Sequence, residues 1–205
     1  MIYPDNVVVD VVLFLAILLP SVILHEIAHG WLAYRLGDST AREAGRLTLN
    51  PIPHLDPFGS ILLPSLLALS GQNVFGWAKP VPVVPRYFRR PAQGMAIVAL
   101  AGPSTNLAIA FLIGRFAPFQ PDLGGRFLAG IIIVNVVLAV FNMIPIPPLD
   151  GSRLLPLVLS DNGRRIYAQI SQYGFLILFV LLFVFPSSLR FLTPVINRVL
   201  RLVVG

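Results

Sequence analysis

"AILLPSVILHEIAHGWLAYRL", residues 16 to 36, decides how this chain is read, because it sets His25, Glu26 and His29 inside a run that is otherwise apolar. The solvent of that run follows from the composition. Of 205 residues, 56% are hydrophobic and 12% charged, and the mean hydropathy is +0.82, whereas a soluble domain carries about 25% charged residues. The chain therefore reads as an integral membrane protein with a single domain over 1–205. There is no cysteine, which removes disulfides and cysteine-based metal or nucleophile sites. The net charge of +6 is scattered between apolar segments, without the basic stripe that nucleic acid requires, and fits anchoring at anionic headgroups.

Four apolar runs, Val7 to Leu36, Ala92 to Phe116, Phe127 to Ile146 and Ile166 to Phe185, reach the roughly 20 residues needed to cross the hydrocarbon core. The first lacks a basic n-region and is expected to stay in the mature protein. Phe58 to Ser70 is short for a span, and Ser187 to Gly205 places Arg190, Arg198 and Arg201 in one sector, as in an amphipathic helix at the interface or packed obliquely on the bundle. With the N-terminus outside, ten of the loop Lys and Arg residues up to Arg165 fall inside, and only Arg115 and Arg126 fall outside. Residues 37–91 must then leave and return by the same face. The returning piece, "VFGWAKPVPVVP" at 74–85, is too proline-rich for helix and is expected as an extended or re-entrant hairpin or a polyproline-like strand lining a water-accessible cavity. The expected fold is an all-α membrane protein, a polytopic bundle of about four to six helices with a small membrane-associated strand or re-entrant region.

On a helix, residues four apart share a face, so His25 and His29 can offer imidazole nitrogens to one ion while Glu26 reaches a water beside it. H-E-x-x-H is the zinc-hydrolase spacing. An ionisable residue in a span costs about 2.5 kcal/mol or more, and a zinc ion is a partner that offsets that cost. A catalytic zinc takes three protein ligands. Only Glu26 and Asp150, among the nine acids, lie in or at the tip of an apolar segment, while Asp10 borders one. Asp150 is thus the expected third ligand, in "FNMIPIPPLDGSRLL", where prolines end the third run and Gly151 permits a sharp turn. Its competing reading is an N-cap on a helix over 152–160.

These residues, with Asn142, Pro145 and Leu149-Asp150-Gly151, resemble the site-2 protease family of intramembrane zinc metalloproteases, and the resemblance covers most of the chain. "AGPSTNLA" at 101–108 looks like that family's Gly-Pro segment. "GRLTLNPIPHLDPFGS" and "GWAKPVPV" look like its compact prokaryotic branch. The resemblance implies a three-helix core and one zinc on His25, His29 and Asp150. It also implies a strand region between the first two core helices, and cleavage of a peptide bond in the transmembrane helix of a protein substrate. The length leaves no room for the PDZ or CBS domain of many relatives. Glu26 is expected as the general base. An exposed strand edge can take up the unwound substrate. For Asn142 the resemblance supports substrate binding, against a role as interhelical glue of the kind read for Asn106 and Asn135. His54, in "NPIPHLDPFG", is either a turn residue or a gate that approaches zinc as a transient fourth ligand. Two other functions compete: a catalytically inactive relative acting as a membrane assembly factor, and a zinc transporter, which needs a series of sites along its path. The expected setting is a prokaryotic cell membrane, with the site toward the cytoplasm and a lipid bilayer and transmembrane substrate as partners.

Overall fold

A computed structural model of the chain describes residues 7–62, 66, 78–117 and 123–205. Helix α1 runs Val7–Arg35 and is followed by the short α2, Thr40–Glu43. After the 78–90 segment come α3, Pro91–Phe116, and α4, Leu123–Asn142. The chain ends in α5, Asp161–Ser171, α6, Gly174–Phe183, and α7, Leu192–Val204. Helices α1, α3 and α4 are each long and apolar enough to cross a membrane, as expected from runs of this length. Their outer faces carry exposed Phe14, Leu19, Leu107, Phe111 and Ile133, as befits helices whose solvent is lipid.

The bundle is organised by one face of α3. Gly94, Val98, Gly102, Asn106, Ala110 and Gly114, all buried, recur every four residues and therefore line one side of the helix. Small residues at this spacing let backbones approach closely, which is how helices associate where lipid removes the hydrophobic drive between them. Along the stripe, Gly94 faces the Phe88 ring, Gly102 faces His25 and His29, and Gly114 faces the Val203 carbonyl of α7. Ala110 meets Ile132, Val136 and Val203 in a closed apolar cluster. Helix α7 thus packs against α3 and α4, with Arg198 and Arg201 left exposed.

Two expectations are corrected. The run at 166–185 is not one straight span: α5 and α6 meet at a bend of 65°. Polar Gln169, Ser171 and Gln172 interrupt the apolar run, and Gly174 is pressed so tightly on Pro147 that a Cβ would lie 2.9 Å from it. Nor does 78–85 form a strand. Among the described residues no β-strand is found, and 78–84 is an extended segment whose main-chain groups bond to the Glu26 and Asp38 side chains and to the His54 carbonyl instead of to a neighbouring strand. Of the short piece at 58–70, the described part is a wide π-type turn over Pro57–Leu62. The rest of that piece apart from the exposed Leu66, like the 74–77 end of the returning segment, lies outside the described residues.

Candidate metal centre

Histidines 25 and 29 lie in the second half of α1, and His29 is six residues before its end at Arg35, roughly 9 Å along the axis. Both are buried, at 5% and 6% exposure. Asp150 reaches them from beyond the end of α4. The chain from Met143 to Gly151 doubles back through a series of tight turns, and Gly151 is so close to the Met143 carbonyl that a Cβ would lie 2.2 Å from it. Only glycine permits that approach. The residue at the N-cap of the following 3-10 turn is Leu149, and no side chain caps it. The Asp150 carboxylate faces the histidines, so the cap reading is set aside.

The three groups converge. His25 Nε2 and His29 Nε2 lie 3.0 Å apart, and each is 3.1 Å from Asp150 Oδ2. Zinc bonds of about 2.0–2.1 Å in tetrahedral array call for donors roughly 3.3 Å apart, close to what is found. The protonation pattern fits as well. His29 Nδ1 sits 2.7 Å from the Val98 carbonyl oxygen, which can only accept, so Nδ1 carries the proton and Nε2 the lone pair. His25 Nδ1 sits 2.5 Å from Asn106 Oδ1. Holding the distal nitrogen of a metal-binding imidazole in this way is the usual support of such a ligand. Three acceptors aimed at one point repel one another unless a cation stands between them, and the chemistry of this donor set suits zinc. Gly102 of α3 makes the room, since a Cβ there would lie 2.4 Å from His29 Nε2 and 2.6 Å from His25 Nε2.

Beside the triad is a cavity of about 90 Å³, which Glu26, Asn142 and Arg153 line on the polar side and Pro80, Val81, Val83 and Pro148 on the apolar side. Glu26 Oε2 accepts from the Val81 N–H at 2.7 Å. Asn142 Nδ2 donates to the Leu138 carbonyl at 3.0 Å, which directs its Oδ1 elsewhere. The extended segment forms the outer wall and is clamped at intervals. Asp38, fully buried, accepts from Val84 N at 2.6 Å and from Thr40 N and Oγ1. Arg46 donates to the Lys79 carbonyl, and Lys79 N donates to the His54 carbonyl. Burial works to raise the Asp38 pKa, yet the bonds from Thr40 and Val84 outweigh it and hold the carboxyl below its ordinary value. Burial pulls the Arg46 guanidinium below its usual value, with the negative charge of Glu26 opposing.

His25, Glu26, His29, Asp150 and Asn142, all expected from the sequence, are therefore brought together. His54 is not: it is buried outside the cavity lining, with Nε2 2.9 Å from the Thr48 carbonyl. Gly102 and Arg153 were not singled out beforehand. Gly102 lay within the quoted "AGPSTNLA", and Arg153 stands three residues after Asp150.

Residues 124–185, which include Asn142, Asp150 and Arg153, match Peptidase family M50. YwhC of Bacillus subtilis is 42% identical over 193 residues, 88% of this chain and 84% of its own length. Rip2 of Mycolicibacterium smegmatis is 36% identical over 192 residues, 91% and 69% of the two chains. Rip2 of Mycobacterium tuberculosis is 35% identical over 187 residues, 87% and 66%. All three bear zinc-metalloprotease names. No solved structure matches the chain. With its convergent His-His-Asp donors and its apolar spanning helices, the chain belongs to peptidase family M50, the site-2 protease family, and is a multi-pass membrane zinc metalloendopeptidase.

Proposed function

We propose that this peptidase hydrolyses a peptide bond within or near the transmembrane segment of a membrane-protein substrate. His25, His29 and Asp150 hold one zinc ion per chain, Glu26 is the general base, and Asn142 binds the substrate backbone. The observation that carries this reading is the depth of the donor triad: two of its members project from a spanning helix more than a turn inside its end. That end bears an interfacial signature, with Arg35 stacked 5.3 Å over the Trp31 ring. The excess of Arg and Lys in the connections supports a reading with this end on the cytoplasmic side and the N-terminus outside.

When bound, zinc supplies Lewis acidity at the scissile carbonyl and lowers the pKa of water beside it. The remaining work belongs to the chain. Glu26 keeps Oε2 on the Val81 N–H, which fixes the carboxylate and leaves Oε1 to accept a proton from the attacking water and deliver it to the leaving amine. Asn142 Oδ1 is available to accept from a substrate N–H, because its Nδ2 is held by Leu138. The substrate helix has to unwind to offer that group. The outer wall gives it a partly prepared edge: Pro80 and Pro82 have no N–H, and that of Val81 is taken, so over 80–82 the segment offers carbonyls to a substrate that donates. Arg153 brings a permanent positive charge to the cavity. Among the described residues one cluster of metal donors is found, whereas a transporter needs a series.

Co-expression with a panel of single-span proteins trimmed outside the membrane tests the reading. The parent is expected to release fragments cut within or next to the span, and Glu26→Gln to release none while keeping the zinc content of the parent. Equal loss of zinc in Glu26→Gln and His25→Ala would remove the division between base and ligand. Cleavage confined to soluble peptides would remove the intramembrane substrate.

A further inference from the structure

Deep to the metal donors lies a polar chain that touches neither the cavity nor substrate. It links Ser21 of α1, Asn106 of α3 and Asn135 of α4, whose exposures are 4%, 0% and 0%. Three buried polar residues in a lipid-embedded core are a cost unless every group is satisfied, and here the direction of every bond can be assigned. The Ile17 carbonyl can only accept, so Ser21 Oγ donates to it at 2.8 Å and spends its proton. Ser21 Oγ is then an acceptor for Asn135 Nδ2, at 2.9 Å, and the Ile131 carbonyl accepts from the same nitrogen at 2.9 Å. That turns Asn135 Oδ1 toward Asn106, whose Nδ2 donates to it at 2.7 Å. Asn106 Oδ1 is left facing His25 Nδ1.

We propose that Asn135, which does not reach the metal donors, is a positioning residue for them: by orienting the Asn106 amide it selects the His25 tautomer whose Nε2 lone pair points at the ion. This rests on the reading of His25 as a zinc ligand. The reason lies in the near-symmetry of an amide. Asn106 turned over would present Nδ2 to His25 Nδ1, which would then have to accept, and the ring proton would move to Nε2, into the place of the metal. What opposes the flip is the set of acceptors around Asn106 Nδ2. Apart from Asn135 Oδ1 these include only the Ser21 carbonyl, at 3.3 Å, near the long limit for such a bond. His29 needs no such device, since a main-chain carbonyl cannot turn over. The two ligands of one ion are therefore set by different means, His29 by α3 backbone and His25 by a directed chain that starts at main-chain carbonyls of α1 and α4.

The test uses the purified full-length protein in detergent, stripped of zinc, with ¹⁵N-labelled histidine, and then zinc titration against a chromophoric chelator. In the zinc-free parent His25 Nδ1, which faces Asn106 Oδ1, is expected to carry a proton, whatever the Asp150 carboxylate draws to Nε2. Finding Nδ1 without a proton overturns the proposal without any variant. Asn135→Leu is expected to shift His25 partly to the Nε2–H form, to leave the His29 signals unchanged, and to weaken zinc binding on the order of ten- to hundredfold, the range for loss of an outer-shell partner. A folded Asn135→Leu protein with parental His25 signals and parental zinc affinity overturns it. His25→Ala separates the two levels. If it abolishes zinc binding while Asn135→Leu does nothing, the inference alone fails; if it leaves zinc binding intact, the ligand reading fails and takes the inference with it.

Discussion

Two walls enclose the zinc donors, α3 packed against the imidazoles and the 78–84 segment across the cavity from them, and they are built on different principles. The α3 wall is close-packed helix, where Gly102 lies against both imidazoles and the Val98 carbonyl holds His29. The other wall has no ladder and two prolines, and hangs on a few bonds from Glu26, Asp38, Arg46 and His54. Dense packing transmits any change in volume directly. A segment held by discrete hydrogen bonds opens locally at lower cost. The contrast assigns the two needs of a buried peptidase to separate elements: α3 keeps the donors in register, and the extended segment can yield to an entering substrate, as lids do in many enzymes.

Two glycines expose the contrast most sharply. Gly102→Ala puts a methyl 2.4 Å from His29 Nε2, against rings tied by Val98 and Asn106, and misplacement of catalytic groups by about 1 Å can cost on the order of 10²-fold. Zinc binding and cleavage are both expected to be lost, as read by metal content and fragment release. Retention of zinc would show that the α3 wall yields after all. Asp150→Ala comes next: bound zinc should fall substantially, since one of three donors is gone, and full occupancy with normal activity would return Asp150 to a role in the turn.

Changes in the outer wall should spare the metal. Asp38→Ala leaves the half-buried Val84 N–H without its acceptor, which costs about 1 kcal/mol or more. The melting temperature should drop and cleavage should weaken, with zinc content unchanged. Zinc loss equal to that of Gly102→Ala would mean the two walls are one unit. Because the folded Asp38 pKa lies below its ordinary value, its stabilisation is fully present above the unfolded value of about 3.9 and disappears as pH falls through the lower folded value. Melts of Asp38→Asn across that acid range should therefore lack part of the parental pH dependence. The smallest effect is expected for Gly30→Ala, whose methyl meets first the methyl ends of Leu47 at 2.7 Å and Val81 at 2.9 Å, on the yielding side, and then the Ala41 Cβ at 3.1 Å. A few-fold change in cleavage with normal zinc would mark the wall as compliant; abolition would mark it as rigid.

Much of the site was legible because its signals are local. Composition established lipid as the solvent, helical periodicity put His25 and His29 on one face, and the cost of burying charge singled out Asp150. Those features depend on spacing and transfer energy, which a linear chain carries within itself. The fold was legible to the same depth: α1, α3 and α4 follow from runs of apolar residues. Proline content was read correctly as excluding helix over 78–84, but whether an extended chain finds a strand or a row of side chains to bond is decided by what lies beside it. The bend between α5 and α6 likewise depends on Pro147 lying against Gly174. Gly102, Arg153 and Asn135 carry no mark of their purpose in the sequence, since a glycine in a helix or an asparagine in a span acquires its role from the partner it meets. His25 and Asn106 are 81 positions apart, and His25 and Asp150 are 125. Which helices span and which donors share a helix face was thus written in the chain itself, whereas which hydrogen-bond partner each imidazole meets and which glycine makes room were decided only when distant segments came within bonding distance, because hydrogen-bond direction and steric exclusion act over a few ångströms.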